Sequence, residues 1–289
     1  MSAKLPKIVD LRVIGACDLR CPFCFGPRHE FGPVLLQPIL NAITRFPSYG
    51  VEGIVVTGGE PTLMPDLPLV FQMAKSVHLK TVLSTNGIIF QRRVNEIAPY
   101  LDWVGLPLDA DHKETNKLMR VGNPNHFRII LDLIPQIRKS FPRLRIKLGT
   151  VVSAINRDSI SGMADLMQGE RKPDLWKLYQ VDYTSYGNDN RNMLELDDEE
   201  FNRVVNEIRP QAIKHGIRLM AYSRNEHNGK YLFFEPDGDA VVRTENGELA
   251  IGNFIEDLDL VVSLWHKYVN ESGLESNFSE TYPELGVLE

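Results

Sequence analysis

Cysteine is scarce in this chain, with three among 289 residues. An odd count argues against a disulfide framework, and structural zinc sites are usually built from two separated ligand pairs. Long apolar runs are lacking as well, and none approaches the length of a bilayer span. There is no excess of basic residues: 32 Lys and Arg stand against 38 Asp and Glu, a formal net charge of −6. General nucleic-acid affinity, which comes with a clearly basic domain, is not expected. Net charge describes the surface, so a basic pocket can still sit inside an acidic shell. Internal repeats and low-complexity segments are missing too. The opening "MSAKLPKIVDLRVIG" passes straight into a strand-like pattern, with neither a signal peptide nor an amphipathic anchor. The expected address is cytoplasmic, a reducing compartment that suits unpaired thiols.

What is present is an ordinary globular composition, 43% hydrophobic and 24% charged. Short β-branched runs alternate with helical patterns, the signature of parallel βα units. "KIVDLRVIG", "VEGIVVTGG", "LKTVLSTNG", "LDWVGLPLD", "LRIKLGTVVS" and "LWKLYQV" read as strands. Helices are predicted near residues 35–47, 66–77, 90–98, 124–140 and 157–168. Six βα repeats are too few for a closed eight-stranded barrel and fit a partial barrel or a doubly wound sheet. "DDEEFNRVVNEIRPQAIKHG" reads as an amphipathic helix with acids in its first turn. Turn signals at Asp237-Gly238 and Asn246-Gly247 then predict a small hairpin element. A helix near 255–270 and a polar acidic tail follow.

All three cysteines fall in "IGACDLRCPFCFGPRHE", at Cys17, Cys21 and Cys24. A lone free cysteine is unremarkable, but three in one loop are not a coincidence. Structural zinc would need a fourth ligand, for which His29 is nearest in sequence. An iron–sulfur cubane is held by thiolates, and three of them leave one iron open to a further ligand.

The pattern Cys-x-x-x-Cys-x-aromatic-Cys directly after the first strand resembles the radical S-adenosylmethionine (SAM) superfamily. "TGGEPTL" after the second strand matches its Gly-Gly-Glu-Pro motif. The resemblance covers residues 7–185 and implies an α/β fold, a partial (βα)6 barrel core over 1–185. A C-terminal extension, 186–289, follows, with a helix, a cysteine-free hairpin like the SPASM modules of peptide-maturing relatives, a second helix and the tail. Without thiols that hairpin is expected to act as a lid or substrate-contacting flap. The implied cofactors are a [4Fe–4S] cluster on Cys17, Cys21 and Cys24, and SAM on its open iron. Phe23 stands where the family packs an aromatic beside the adenine. Gly58 and Gly59 would let the backbone approach a ligand, and Glu60 would accept from the SAM ammonium. Ser84, Asn86 and Asp109, at later strand ends, are further cofactor-binding candidates. For each of these the alternative is a purely structural turn or packing role.

The downstream half is similar to viperin-like nucleotide dehydratases, in "NKLMRVGN", "IKLGTVVSAIN", "WKLYQV", "DDEEFNRVV" and "SRNEHNGKYLFFEPDG". That resemblance implies dehydration of a nucleoside triphosphate to a 3′-deoxy-3′,4′-didehydro product. Arg120, Lys147 and Lys177 would bind the phosphates of an anionic small-molecule substrate, and Tyr231, near the sugar, is a candidate catalytic residue. A buried lysine favours an anion. The alternatives are pairing with a carboxylate such as Asp109 or Asp182 for the lysines, and core packing for Tyr231. A flavodoxin- or ferredoxin-type reductant is implied, with no nucleic-acid or membrane partner. Departures from the pattern are Asp10 and Arg12, where those enzymes often carry Asn and His, and Gly149 and Ser153, where they have asparagines. Modification of an antibiotic sugar or a peptide is the enzymatic alternative. A non-catalytic cluster-binding protein is the alternative of another class.

Overall fold

The computed structural model describes residues 4–27, 32–227, 231–244 and 247–272. Among these residues ten strands form one sheet: β1 (Ile8–Arg12), β2 (Gly53–Thr57), β3 (Lys80–Ser84), β4 (Trp103–Pro107), β5 (Arg145–Val152), β6 (Leu175–Gln180), β7 (Leu219–Tyr222), β8 (Leu232–Phe234), β9 (Asp239–Thr244) and β10 (Gly247–Asn253). The order is β10-β9-β8-β1-β2-β3-β4-β5-β6-β7. From β1 to β7 every neighbouring pair is parallel. The two ends do not pair with each other, so the barrel is partial.

Each parallel crossover needs a covering helix. The longer ones are α1 (Leu36–Arg45), α2 (Leu67–Ser76), α3 (Phe90–Ile97), α4 (Lys113–Met119) and α5 (His126–Ser140). The expected helix over 157–168 is instead a short turn at Arg157–Ser159 and a four-residue helix, α6 (Met163–Leu166). Gly162 marks the interruption, where a Cβ would lie 2.1 Å from Asp111 Oδ2. After β6 come two short helices, α7 (Ser185–Asp189) and α8 (Arg191–Leu194), and the long α9 (Asp198–Lys214). Asp197 caps α9 by accepting from Glu200 N at 2.7 Å, and three acids in its first turn face the positive end of the dipole. α10 (Leu258–Ser272) closes the described chain.

Two departures from the expected pattern matter for the site. A seventh parallel strand, β7, extends the array beyond the six anticipated. The hairpin is built into the main sheet: β8 pairs in parallel with β1, aligning Asp10 with Phe233, and β9 and β10 continue the sheet antiparallel. Strands from both sides of residue 185 therefore share one sheet. Arg28 and His29, Asn246 and the acidic tail lie outside the described residues.

The sheet curls. Ile8, Val55, Val82, Trp103 and Leu175 form one cluster with Met220 and Tyr231 packed against it, one residue from each of several strands. A flat sheet could not bring β1 and β7 together in this way. Because helices cover the outer face, Val9 and Leu11 point outward into the main core. The inward series is apolar at the floor and polar above it, with Asp10, Arg12, Lys147 and Lys177 all buried. Among the described residues no helix is long and apolar enough to cross a membrane.

Candidate active site

A cavity of about 380 Å³ opens inside the curled sheet, at the carboxyl ends of its strands. All three cysteines line it, together with Phe23, Gly58, Gly59, Ser84, Asn86, Arg120, Lys147 and Tyr231. Glu60, Asp109 and Lys177 do not line it and are buried behind its wall.

The cysteine loop is held against the turn after β2 at backbone level. Gly59 N donates to Ile14 O at 2.6 Å, and Glu60 N to Ala16 O at 2.8 Å. The absence of a Cβ at both glycines permits this approach. A Cβ on Gly59 would stand 2.1 Å from Gly15 O and 2.3 Å from Ala16 O, and one on Gly58 would stand 2.4 Å from Ile14 O. Gly58 also has a φ of 137°, which L side chains rarely adopt.

Glu60 directs its carboxylate to the protein itself. Oε1 accepts from Thr62 N at 3.0 Å, from Thr85 Oγ1 at 2.7 Å and from Thr62 Oγ1, while Oε2 accepts from Asn86 N at 2.7 Å. Burial raises its pKa, which these hydrogen bonds oppose. Glu60 thus ties the second motif to the "STNG" turn. From there Asn86 Nδ2 donates to Asp18 at 2.6 Å and lies 3.9 Å from Cys17 Sγ.

Asp109 likewise turns away from the cavity. Its Oδ1 accepts from Val151 N at 2.9 Å and its Oδ2 from Arg120 Nε at 2.5 Å. Arg120 reaches onward, with Nη1 3.8 Å from Cys21 Sγ and the guanidinium 4.8 Å from the Phe23 ring centre. It stands at the cysteine end of the cavity, apart from the two lysines. Lys147 is on the wall, 7% exposed, its Cε 3.1 Å from where a Cβ on Gly105 would stand. Lys177 is 1% exposed, its ammonium 5.3 Å from the Tyr222 ring centre. The two carboxylates weighed as lysine partners are held by arginines, Asp109 by Arg120 and Asp182 by Arg243.

Sequence reasoning missed a buried strut behind this wall. His126, fully buried, places Nε2 3.2 Å from Asn86 O and Nδ1 3.1 Å from Asn116 Nδ2. A carbonyl only accepts, so Nε2 carries the proton and Nδ1 receives from Asn116. Asn116 Oδ1 in turn accepts from Asp109 N at 3.2 Å, linking two of the strand-end motifs. Burial, helped by the Arg120 charge, pushes the His126 pKa down from 6.5 to about 3. The unfolded chain therefore binds a proton below pH 6.5 that the native protein refuses, so stability is lost as pH falls through that window. Between pH 6.5 and 5 the loss from this group is about 2 kcal/mol. A His126→Phe variant should lack that component, giving a shallower acid dependence in urea unfolding at pH 7 and 5. Equal pH dependence in the two proteins would refute the strut's charge state.

The donor set fits an iron–sulfur cluster. Among the described residues no group of three His, Cys, Asp or Glu side chains could hold a single metal ion. A cubane instead takes one thiolate on each of separate irons, as three thiols spread along a loop can supply. Burial pushes Cys17 up to about 12 and Cys21 up to about 11, so both are neutral thiols until a metal displaces the proton.

Residues 11–167 match the model of the Radical SAM superfamily, more than half of the chain, and the protein belongs to that superfamily. Its members use a [4Fe–4S] cluster and SAM. Among curated proteins, the chain is similar to an S-adenosylmethionine-dependent nucleotide dehydratase of Flammeovirga pacifica, 25% identical over 92% of this chain and 94% of that one. A second protein of the same name, from Lacinutrix mariniflava, is 27% identical over 82% of this chain, which spans half the length of that relative. Of solved structures, Streptococcus suis SuiB bound to precursor peptide SuiA superposes with a TM-score of 0.73 at 16% identity. That match covers 91% of this chain and 65% of SuiB. The structure of anSMEcpe with bound AdoMet gives 0.68 at 15% identity, covering 93% of this chain and 84% of that one. At these identities the structural likeness is one of fold.

Proposed function

We propose that the protein is a radical SAM nucleotide dehydratase. It removes water from a nucleoside triphosphate to leave a 3′-deoxy-3′,4′-didehydro nucleotide. The observation that carries this reading is that a single cavity is walled by three thiols and by a buried lysine, Lys147. The dehydratase relative of Flammeovirga pacifica, matched over nearly its whole length, supports it.

Cys17, Cys21 and Cys24 hold the [4Fe–4S] cluster, and Phe23, Gly58, Gly59, Ser84 and Asn86 surround SAM. Cluster and SAM together supply a 5′-deoxyadenosyl radical, the agent that takes the 4′ hydrogen. Glu60 and Asp109 act from behind the wall: Glu60 fixes the "STNG" turn, and Asp109 orients Arg120 beside Cys21. Lys147 grips the phosphates, with Lys177 adding positive charge from behind, and Tyr231 stands toward the sugar. The apolar surround of Phe23, Phe25 and Phe233 keeps water from the reacting centre. The electrons come from a flavodoxin- or ferredoxin-type donor in a reducing, cytoplasmic setting.

The test is anaerobic reconstitution followed by SAM, a reductant and a panel of nucleoside triphosphates, read by mass spectrometry. The expected result is 5′-deoxyadenosine together with one nucleotide product lighter by a water. Deoxyadenosine formed with sugars or peptides, but not with nucleotides, would overturn the substrate assignment.

A further inference from the structure

Asp18 follows the first cysteine of the loop and is exposed, beside a half-buried Cys17. Its Oδ1 accepts from Asn86 Nδ2 at 2.6 Å and lies 3.9 Å from Cys17 Sγ. The same Nδ2 stands 3.9 Å from that sulfur, to which Leu19 N donates at 3.4 Å. An amide NH2 carries two hydrogens, so Asn86 can serve the carboxylate and the sulfur together.

Asn86 is held on its other sides. Its N donates to Glu60 Oε2 at 2.7 Å, its O accepts from His126 Nε2 at 3.2 Å, and its Oδ1 accepts from Ile88 N at 2.9 Å. Through Asp18, therefore, the Gly-Gly-Glu turn, the turn after β3 and the buried histidine all bear on Cys17. Other ties of the loop run through its backbone. Arg20 N donates to Val121 O at 2.7 Å, Asn190 Nδ2 to Pro22 O at 3.1 Å and Ser185 Oγ to Gly26 O at 3.1 Å. Those set the path of the chain, whereas the Asp18 tie reaches a ligand sulfur.

Charge gives the tie a second consequence. At Cys21 the neighbouring Arg120 and Asp109 are paired at 2.5 Å and offset each other. Asp18 instead meets a neutral amide, and neighbouring Arg20 places Nη1 on the Cys17 and Leu19 carbonyls, at 2.6 and 2.8 Å. At 3.9 Å from the sulfur the carboxylate is well inside the screening length of about 8 Å, so its charge is felt there despite its exposure. A fixed negative charge makes an added electron harder to place, and net charge is one of the factors that set a cluster's potential. We infer that Asp18 is a positioning residue for the cluster: it locks Cys17 to Asn86 and holds the reduction potential of the cluster down. The inference concerns the cluster alone and holds whichever substrate the enzyme takes.

The test compares wild type, Asp18→Asn and Asp18→Ala as anaerobically reconstituted holoenzymes without nucleotide. Iron content, calorimetric SAM binding and a redox titration followed by electron paramagnetic resonance are measured for each. Asparagine keeps an oxygen that accepts from Asn86 but drops the charge. Asp18→Asn should therefore match the wild type in iron and SAM affinity while its potential moves to more positive values. Alanine drops the acceptor as well, so Asp18→Ala should bind SAM about tenfold more weakly and show an altered cluster signal. A wild-type or lower potential in Asp18→Asn, wild-type SAM affinity and signal in Asp18→Ala, or an equal loss of SAM affinity in both would each overturn the assignment. Should Asp18→Ala take up too little iron to measure, the potential of Asp18→Asn decides by the same criterion. Any of these failures leaves the dehydratase reading standing, and a holoenzyme that dehydrates no nucleotide leaves the Asp18 assignment standing.

Discussion

Gly59→Ala should yield a protein that takes up little iron and unfolds far more easily than the wild type. The added methyl would meet two backbone oxygens, Gly15 O at 2.1 Å and Ala16 O at 2.3 Å. Neither belongs to a flexible side chain that could swing aside, so the loop itself must move. Moving it breaks the bond from Glu60 N to Ala16 O, one residue before Cys17. A backbone displacement of this kind belongs among the large destabilisations, about 3 kcal/mol or more. The cysteines lose their mutual placement at the same time. Gly149→Ala is the natural comparison, because its methyl would find only Tyr179 Cε2 at an ordinary 3.6 Å. Iron and sulfide content after reconstitution, with thermal unfolding midpoints, would check the pair. Near-stoichiometric iron and a wild-type midpoint in Gly59→Ala would sink the idea that this glycine serves the loop.

This result also marks where sequence pattern and structure part. Three thiols at close spacing and a Gly-Gly-Glu turn are legible because the chemistry demands particular residues at particular offsets. Their mutual contact is not legible. The glycines read as room for a ligand, yet their close neighbours are the chain's own carbonyls. Periodicity located the first six strands, each a β-branched run ending in a turn. It could not show that β8 returns to β1, since pairing across more than 200 residues leaves no local trace. That return makes the hairpin part of the cavity wall, and it brings Arg243 to the site. Arg12 did carry a signal, as a charge in the first strand that departs, with Asp10, from the dehydratase pattern. His126 carried none, because a buried histidine at the start of a helix looks like any other polar residue near a cap.

Lys147→Ala should separate substrate binding from SAM cleavage. The side chain is 7% exposed and projects over Gly105, beside Ser84, so its ammonium has been taken from bulk water. Desolvating an ammonium is costly, and a phosphate that reaches it gains a charge-assisted bond in a low-dielectric site. Removing a buried member of such a pair costs about 2 kcal/mol or more, which corresponds to roughly a 30-fold rise in the substrate KM. SAM cleavage without nucleotide should change much less, since the cysteines stand on the loop after β1 and Lys147 on β5. Lys147→Arg tests charge against shape: it keeps the cation but needs room for a planar fork, so it should recover only part of the loss. Lys177→Ala should show the same split with a smaller rise, because that ammonium lies behind the wall at the Tyr222 ring. Measured rates of deoxyadenosine formation with and without nucleotide give both quantities in one assay. If Lys147→Ala keeps a wild-type KM while its substrate-free SAM cleavage collapses, the lysine serves the cofactor and the phosphate assignment is wrong.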